Sequence, residues 1–531
     1  MLSTVRSMRG MVTAPHHLAS EAGLRVLREG GDAIEATIAM GACLAVVYPH
    51  MTAIGGDGFW LVSKDGAPPV AIDACGAAAG AATQAFYLSR GLSAIPWRGP
   101  FAANTVAGAV SGWGEALKLS RETGGRLPMS RLMEDAVFHA ENGFPVTASQ
   151  EETTAEKLPQ LVDAPGFAPV YLPGGAAPAA GSVMRLPALA RTLKRIGAHG
   201  AQDFYDGALA KDIAADLARI GAPVGADDLA RHRAQRRAPL SVAVRGARLF
   251  NFPPPTQGLA SLMILALFDR LDAPTAESFA HVHGLVEATK QAFLVRDAHV
   301  GDPASMTGDP AAFLAPAFLD RLAARIDRAR ALPWPQPPSA GDTVWLGAID
   351  RNGVAASYIQ SIYFEYGSGC VLENTGVVWQ NRGASFVIGE TGVEARRLTP
   401  GRKPFHTLNP AMALFGDGRT MVYGTMGGEG QPQTQSALFT RYATFGQDLQ
   451  DAITAPRWLL GKTWGEDSVS LKLESRFDPA LCDALREAGH NVETVGPFSS
   501  VMGHAGAVVR RADGVFEGAS DPRSDGAALG F

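Results

Sequence analysis

The chain has 531 residues, of which 46% are hydrophobic and 19% charged, and its formal net charge is −5. This balance predicts a globular protein with a large buried core and excludes a disordered or fibrous chain. No basic excess points to nucleic acid or an anionic membrane as a partner. The dispersed cysteines lack a CxxC spacing, which favours buried free thiols over a zinc site or a disulfide framework. They are Cys43, Cys75, Cys370 and Cys482.

The N-terminal residues, MLSTVRSMRGMVTAPHH, contain no apolar core and no small-residue cleavage site of the kind found in signal peptides. The sequence also has no stretch of about 20 apolar residues that could span a bilayer. We therefore expect a cytoplasmic protein with no membrane partner.

The first predicted elements are two helices and a strand. Residues 17–28 place leucines on one face at the helical period, and Gly30 and Gly31 then end the helix. Asp32 is suited to cap the second helix, 33–46, which is apolar almost all round and is therefore predicted to be buried. The glycine-rich run 55–58 leads into the strand 59–62.

Helices and strands continue to alternate along the next 240 residues or so. The pattern predicts helices over 186–196, 208–220 and 278–297, and a pair of strands within 242–252. His281 and His283 lie two positions apart in the last of these helices, so they point to different faces and are not expected to share a metal.

A proline-rich stretch, 332–342, reads LPWPQPPSAGD. Prolines lack a backbone donor, so it is neither a helix interior nor a central strand, and we predict a flexible linker. It ends at Thr343, after which 344–349 and 354–359 form a predicted hairpin joined by an Asn-Gly turn. The linker thus leads directly into a hydroxyl residue at the start of a core strand.

Several short glycine- and proline-rich motifs are weak when taken alone and specific when taken together. In chain order they are GMVTAPH (10–16), LREGGDA (27–33), GGDGF (55–59), PPPTQG (253–258), GDP (301–303), GG (427–428) and SDPRSDG (520–526). In this combination the chain resembles the gamma-glutamyltranspeptidase family of N-terminal-nucleophile (Ntn) hydrolases over nearly its whole length.

The family's nucleophile motif is Asp-Thr-Thr-His, an aromatic residue, Ser and Val, and the matching segment here is DTVWLGA. The resemblance implies that Thr343 is the nucleophile and that the chain cuts itself between Asp342 and Thr343. The second Thr and the His of the family pattern are replaced by Val344 and Trp345. These replacements leave the reaction type unchanged and put in doubt the family's usual adjustment of the nucleophile by its neighbours.

The resemblance also implies the architecture, an α+β fold of four layers, αββα, built jointly by a large piece, 1–342, and a small piece, 343–531. Neither piece holds the whole sandwich, so we expect them to remain together as a heterodimer, which could pair into a dimer of heterodimers. The chemistry is expected to need no cofactor and no metal.

The self-cleavage has a chemical logic. A hydroxyl is a poor nucleophile without a base. Cleavage before Thr343 would create an α-amine with a pKa of about 7.7–8.0, partly neutral near pH 7, on the same residue as the hydroxyl. By resemblance, the backbone N–H groups of Gly427 and Gly428 form the oxyanion hole for the acyl intermediate, and glycine allows such a close approach of backbone to ligand.

The family's pocket for a γ-glutamyl group is altered. An Arg that holds the α-carboxylate corresponds to Cys75, and a Gln and an Asp that hold the α-amine correspond to Arg382 and Ser385. A site for an ammonium has therefore lost its carboxylate and gained a guanidinium, which suits a carboxylate. A surface ion pair for Arg382 remains an alternative.

Other expected pocket residues have changed size. A Thr and an Asn near the nucleophile correspond to Ser361 and Tyr363, and a serine pair corresponds to His406 and Thr407. These replacements resemble the amidohydrolase branch of the family, of which oxamate amidohydrolase is an example. A packed, structural role for His406 stays open.

The sequence therefore predicts a self-processing N-terminal-threonine amidohydrolase that cleaves a small carboxylate-bearing amide such as oxamate, by hydrolysis or acyl transfer. One alternative is a γ-glutamyltransferase or glutathione hydrolase with a rearranged pocket. Another is an unprocessed, inactive relative that acts as a binding protein, an option that the altered Val344 and Trp345 leave open.

Overall fold

The computed structural model describes residues 2–334, 342–389, 392–461 and 468–531. Its helices within these ranges are α1 (His17–Arg28), α2 (Ala33–Val47), α3 (Gln84–Leu88), α4 (Ala109–Thr123), α5 (Met129–Asn142), α6 (Ala148–Leu161), α7 (Phe167–Tyr171), α8 (Pro187–His199), α9 (Asp203–Asp206), α10 (Ala208–Ile220), α11 (Ala226–Arg231), α12 (Gly258–Phe268), α13 (Phe279–His299), α14 (Pro316–Ala323), α15 (Gln431–Phe439), α16 (Leu449–Thr454) and α17 (Pro479–Glu487). None of these helices is long and apolar enough to cross a membrane.

The strands of the described residues form two large sheets and two small ones. They are β1 (Val5–Ser7), β2 (Gly10–Ala14), β3 (Asp57–Lys64), β4 (Val70–Ala74), β5 (Phe144–Pro145), β6 (Val183–Met184), β7 (Gln235–Arg237), β8 (Leu240–Val244), β9 (Ala247–Asn251), β10 (Asp342–Asp350), β11 (Val354–Tyr363), β12 (Ala411–Phe415), β13 (Thr420–Thr425), β14 (Trp458–Leu460), β15 (Leu471–Glu474), β16 (Val492–Val495), β17 (Ala505–Arg510), β18 (Phe516–Ser520) and β19 (Ala527–Gly530).

The helices and strands predicted from the sequence are confirmed, with shifts of one to three residues at most ends. The helices over 17–28 and 208–220 have the predicted bounds. Asp32 caps α2 in a capping box with Glu35, and α2 is buried along its whole length. The predicted hairpin is β10 and β11, which pair in antiparallel register. All four cysteines are buried free thiols.

The two large sheets face each other. One has the order β19-β2-β10-β11-β3-β4-β7 and the other β1-β18-β17-β13-β12-β9-β8. Along β10, Val344 and Leu346 pack with α1, α2 and other helices, whereas Trp345 and Ile349 pack against residues of the second sheet. This alternation follows from the two-residue period of a strand and places one apolar layer between the sheets.

Helices cover both outer faces. Residues of α1, α2, α5 and α8 form one core with the first sheet, and residues of α12, α13, α15, α16 and α17 form another with the second sheet. The layers are therefore helix, sheet, sheet and helix, which is the αββα sandwich expected from the sequence. Each large sheet contains strands from before and after Thr343.

The linker predicted over 332–342 falls partly outside the described residues. Its described N-terminal end is bound to the fold, because the N–H of Leu332 donates to Glu287 (3.1 Å) and its carbonyl accepts from Lys290 (2.6 Å). The preceding Ala331 N–H donates to the carbonyl of Ala488 (2.7 Å).

Candidate active site

Thr343 lies at an irregular point of the first sheet. Asp342 pairs with Tyr363 and Val344 pairs with Gln360, so two residues of β11, Ser361 and Ile362, lie opposite Thr343 alone, which is the pattern of a β-bulge in β11. Such a bulge interrupts the ladder and re-aims a side chain, which is why bulges are common beside active sites. Thr343 is fully buried.

The hydroxyl group of Thr343 lies between the two sheets. Its Oγ1 donates to Ser361 Oγ near the end of β11 and accepts from Gln431 Nε2 at the start of α15, both at 3.4 Å. The N–H of Tyr363 donates to the same Ser361 Oγ (2.8 Å). The hydroxyl is thus held by partners from elements of both halves of the sandwich.

The glycine-rich loop follows β13, with Gly427 and Gly428 at φ 122° and 50°, where glycine is favoured. The carbonyl of Met426 accepts from the Thr425 hydroxyl (2.6 Å), and that of Gly427 accepts from the N–H of Gly430 (2.7 Å). In a trans peptide the N–H points opposite to the carbonyl. The N–H groups of Gly427 and Gly428 therefore face away from these bonds, and neither donates to an acceptor among the described residues.

Arg382 is a buried cation. It is 1% exposed, its Cζ lies 3.4 Å from the centre of the Tyr363 ring, and its Nη1 donates to Thr407 Oγ1 (3.4 Å). Its Nε and Nη2 have no hydrogen-bond partner among the described residues. Burial lowers the pKa of Arg382 from its ordinary value, although a guanidinium stays protonated. This burial excludes a surface ion pair, and a buried charge of this kind calls for an anionic partner.

His406 is held by a buried carboxylate. Its Nε2 lies 3.0 Å from Asp57 Oδ2, while Asp57 Oδ1 accepts from the N–H groups of Gly76 and Gly108 and from Gln380 Nε2. Burial raises the pKa of Asp57 to about 7 and lowers the pKa of His406 well below its ordinary value. A neutral His406 that donates from Nε2 leaves Nδ1 as an acceptor, and Nδ1 has no partner among the described residues.

Two other predicted pocket residues lie close to this group. The hydroxyl of Ser385 donates to the backbone carbonyls of Arg382 (3.0 Å) and Phe405 (3.2 Å), so it supports the backbone that carries Arg382. Cys75 Sγ lies within 4.8 Å of ligand-type atoms of Asp57 and His406. Burial raises the pKa of the Cys75 thiol, which keeps it neutral.

Within the described residues, two groups of side chains come close enough to share a cation: Asp57, Cys75 and His406, and His283, Glu287 and His490. In the second group, His283 Nδ1 and His490 Nε2 are hydrogen-bonded (2.9 Å), and the Lys290 ammonium lies 2.7 Å from Glu287. In the first, both oxygens of Asp57 already accept hydrogen bonds. These atoms fit hydrogen-bond networks better than a metal.

A sequence model of the gamma-glutamyltranspeptidase family matches residues 19–531. The chain belongs to the gamma-glutamyltranspeptidase family. The oxamate amidohydrolase proenzyme of Klebsiella pneumoniae subsp. pneumoniae is 54% identical over 532 residues, which cover 100% of both chains. The glutathione hydrolase-like YwrD proenzyme of Bacillus subtilis is 40% identical, again with 100% of both chains covered.

A solved structure agrees with this assignment. The crystal structure of cephalosporin acylase from Bacillus halodurans has a TM-score of 0.92 and 29% identity to this chain, and the match covers 100% of this chain and 97% of that one. As a member of the gamma-glutamyltranspeptidase family, the protein is an Ntn-type enzyme that hydrolyses amide bonds.

The departures from the family's nucleophile motif are explained by packing. Val344 points into the helix-covered face, and Trp345 fills the layer between the sheets, where its Nε1 donates to Ser357 Oγ (3.0 Å). A Cβ atom at Gly424 would lie 2.2 Å from the indole Cδ1 of Trp345. Trp345 therefore replaces a smaller residue by using space that Gly424 leaves open.

Sequence reasoning missed three buried amides. Gln431 contacts Thr343, Asn409 Nδ2 donates to Gln431 Oε1 (3.3 Å), and Gln257 Nε2 donates to the carbonyls of Thr407 and Gly428. The available signals were positional, because Gln431 follows the glycine-rich loop directly and Gln257 lies inside the PPPTQG motif.

Proposed function

We propose that this protein is a self-processing amidohydrolase that hydrolyses a small amide with an adjacent carboxylate, such as oxamate, through an ester of Thr343. The observation that carries the proposal is Arg382, a fully buried guanidinium with two unpartnered nitrogens among the described residues. Tyr363, whose ring supports Arg382, donates its backbone N–H to Ser361 Oγ, and Ser361 Oγ contacts the Thr343 hydroxyl. The name of the 54% identical relative agrees with this substrate.

Activation would begin at the bulge. The Thr343 hydroxyl attacks the carbonyl carbon of Asp342, the peptide nitrogen leaves as the free α-amine of Thr343, and water hydrolyses the resulting ester. The products are the pieces 1–342 and 343–531. Both large sheets contain strands of both pieces, so cleavage would leave them interlocked as a heterodimer. A dimer of heterodimers and a cytoplasmic location stay predictions.

Catalysis would then follow acyl transfer. The α-amine of Thr343, with a reference pKa of about 7.7–8.0, takes the hydroxyl proton as Oγ1 attacks the amide carbon. The oxyanion would accept hydrogen bonds from the N–H groups of Gly427 and Gly428. The amine returns the proton to the leaving nitrogen, ammonia departs, and water hydrolyses the acyl ester to give oxalate from oxamate.

Substrate recognition would depend on charge and on hydrogen-bond polarity. The carboxylate pairs with Nε and Nη2 of Arg382 in the bidentate geometry that a guanidinium favours. The unpartnered Nδ1 of His406 is suited to accept an N–H of the substrate amide. The α-ammonium of a γ-glutamyl group would instead be repelled by Arg382, because like charges in a buried site destabilise each other.

The test is a substrate comparison on purified, cleaved protein. Ammonia release is followed with oxamate and with oxamide, a neutral amide of similar size, and aniline release with a γ-glutamyl anilide. The proposal predicts the highest kcat/KM for oxamate. Preference for the anilide would contradict it and support the γ-glutamyl alternative, for which the 40% identical glutathione hydrolase-like relative provides the precedent.

A further inference from the structure

Gln257 connects the glycine-rich loop to the opposite wall of the site. It is the fifth residue of the PPPTQG motif, immediately before α12, and is fully buried. Its side-chain Nε2 donates two hydrogen bonds of 2.8 Å, one to the carbonyl of Gly428 and one to the carbonyl of Thr407. A single amide group therefore joins the candidate oxyanion loop to the residue whose hydroxyl contacts Arg382.

The orientation of this amide is determined by a buried cation. Arg296 Nη1 donates to Gln257 Oε1 (3.0 Å), and Arg296 Nη2 donates to Glu429 Oε2 (3.1 Å). Arg296 is 2% exposed and can only donate, so Gln257 must turn its oxygen to the guanidinium and its NH2 to the two carbonyls. The arrangement fixes the amide in one of its two flips.

Each of the two carbonyls has one further donor, which comes from its own segment. The carbonyl of Thr407 also accepts from Asn409 Nδ2 (2.9 Å), and the carbonyl of Gly428 also accepts from the backbone N–H of Gln431. The peptide plane after Gly428 is thus held by Gln257 and Gln431, and the plane before it by the bond from Gly430 N–H to Gly427 O (2.7 Å). Because the bonds from Gln431 and Gly430 lie within the loop's own turn, Gln257 provides the side-chain bond that joins the loop to the start of α12.

We infer that Gln257 is a positioning residue for acyl transfer, which holds the loop of Gly427 and Gly428 with its N–H groups aimed at the oxyanion. The inference rests on the proposed function of Thr343. Gln257 itself does not touch the reacting atoms. Because the loop it holds is proposed to bind the oxyanion, which forms only during the reaction, its loss should lower kcat more than it raises KM.

The test compares Gln257→Met and Gln257→Glu with a matched control, Gln450→Met. Gln450 is also a buried glutamine with an amide bound to backbone, since its Nε2 donates to the carbonyl of Ser520 (2.8 Å), but it lies outside the site. Met keeps the length of Gln without donors. Glu keeps an oxygen for Arg296 and turns a second oxygen towards the two carbonyls.

The inference predicts that kcat per mole of cut chain falls roughly 10- to 100-fold in both Gln257 variants, with KM changed less than about 3-fold. Gln450→Met is expected to lower the Tm and keep kcat. Any variant that remains whole is assayed as co-expressed pieces 1–342 and 343–531. Equal kcat in Gln257→Met and Gln450→Met would overturn the inference alone, whereas a wild type that turns over no amide would overturn the proposed function and this inference with it.

Discussion

The guanidinium of Arg382 stacks on the ring of Tyr363, with Cζ 3.4 Å from the ring centre. Tyr363 has φ 82°, a left-handed conformation that costs a residue other than glycine roughly 1–3 kcal/mol. It also pairs with Asp342 across the bulge at Thr343. The residue that supports the cation therefore lies opposite the predicted cleavage site, and this links the position of the substrate's carboxylate to that of the nucleophile.

Replacement of Arg382 should lower the activity towards the charged substrate oxamate more than the activity towards the neutral substrate oxamide. A hydrogen-bonded charge contributes about 1.5–3 kcal/mol, so Arg382→Met is expected to lower kcat/KM for oxamate roughly 10- to 150-fold. Arg382→Lys keeps the charge and loses the bidentate geometry of the guanidinium, so its kcat/KM for oxamate should lie between those of wild type and Arg382→Met. Steady-state kinetics with oxamate and oxamide provide the measurement. Equal losses for both substrates would show that Arg382 does not bind the carboxylate.

Gln431 should affect the chemical step. Its Nε2 donates to the Thr343 hydroxyl at 3.4 Å, and a hydrogen bond of this kind contributes about 0.5–1.5 kcal/mol. Gln431→Leu is therefore expected to reduce kcat roughly 2- to 12-fold with little change in KM. Gln433→Leu, in the same helix, removes an amide that binds the backbone of Leu460 and serves as the control. Equal kcat in the two variants would contradict a role for Gln431.

Much of this site follows from the sequence, and the rest depends on long-range packing. Thr343, Arg382 and the glycine-rich loop at Gly427 were predicted as site residues because their motifs are local and the family pattern places them. The amides of Gln257 and Gln431 became recognisable only once residues about 170 and 90 positions away were brought into contact. A buried glutamine has no local pattern, because its partners are backbone groups of distant segments.

The fold was predicted for a similar reason. The helical period of α1 and α10 and the Asn-Gly turn between β10 and β11 are local signals, and the structure has these elements where the patterns put them. The order of strands in the two sheets is not a local property and was not predicted. The four-layer arrangement was inferred from the family resemblance, since the alternating elements are compatible with several sheet topologies.

Trp345 should be a stability residue and not a catalytic one. It is 3% exposed between the sheets, and replacing a buried aromatic residue by Ala typically costs about 3–5 kcal/mol. Trp345→Ala is therefore expected to lower the apparent Tm and the urea midpoint strongly. Trp97→Ala, at a residue that is 49% exposed, is the control and should change both much less. Similar losses in the two variants would contradict the packing role.

Asp57 should make stability depend on pH. Burial raises the pKa of Asp57 to about 7 from its ordinary value of 3.8, so between about pH 4 and 7 the folded protein binds a proton that the unfolded chain has lost. This contribution to stability is present at low pH and is lost as the pH rises through 7. Asp57→Asn cannot titrate, so its stability relative to wild type should increase from pH 4 to 7 and then level off.

Urea unfolding of wild type and Asp57→Asn at pH 5, 6, 7 and 8 measures this difference directly. Comparing the two proteins at each pH cancels the titration of groups that they share. A difference that stays constant over the range would mean that Asp57 is ionised throughout, with its four hydrogen bonds outweighing its burial.

We propose that Thr343 is a nucleophile which the chain exposes by cutting itself. Intact mass and a denaturing gel of wild type, Thr343→Ser and Thr343→Ala, taken over time, provide the test. We expect two wild-type pieces, the smaller starting at Thr343, a slower cut in Thr343→Ser, and a Thr343→Ala chain that stays whole and inactive. A wild-type chain that stays whole after long incubation, or a Thr343→Ala chain that is cut at the same bond, would contradict it.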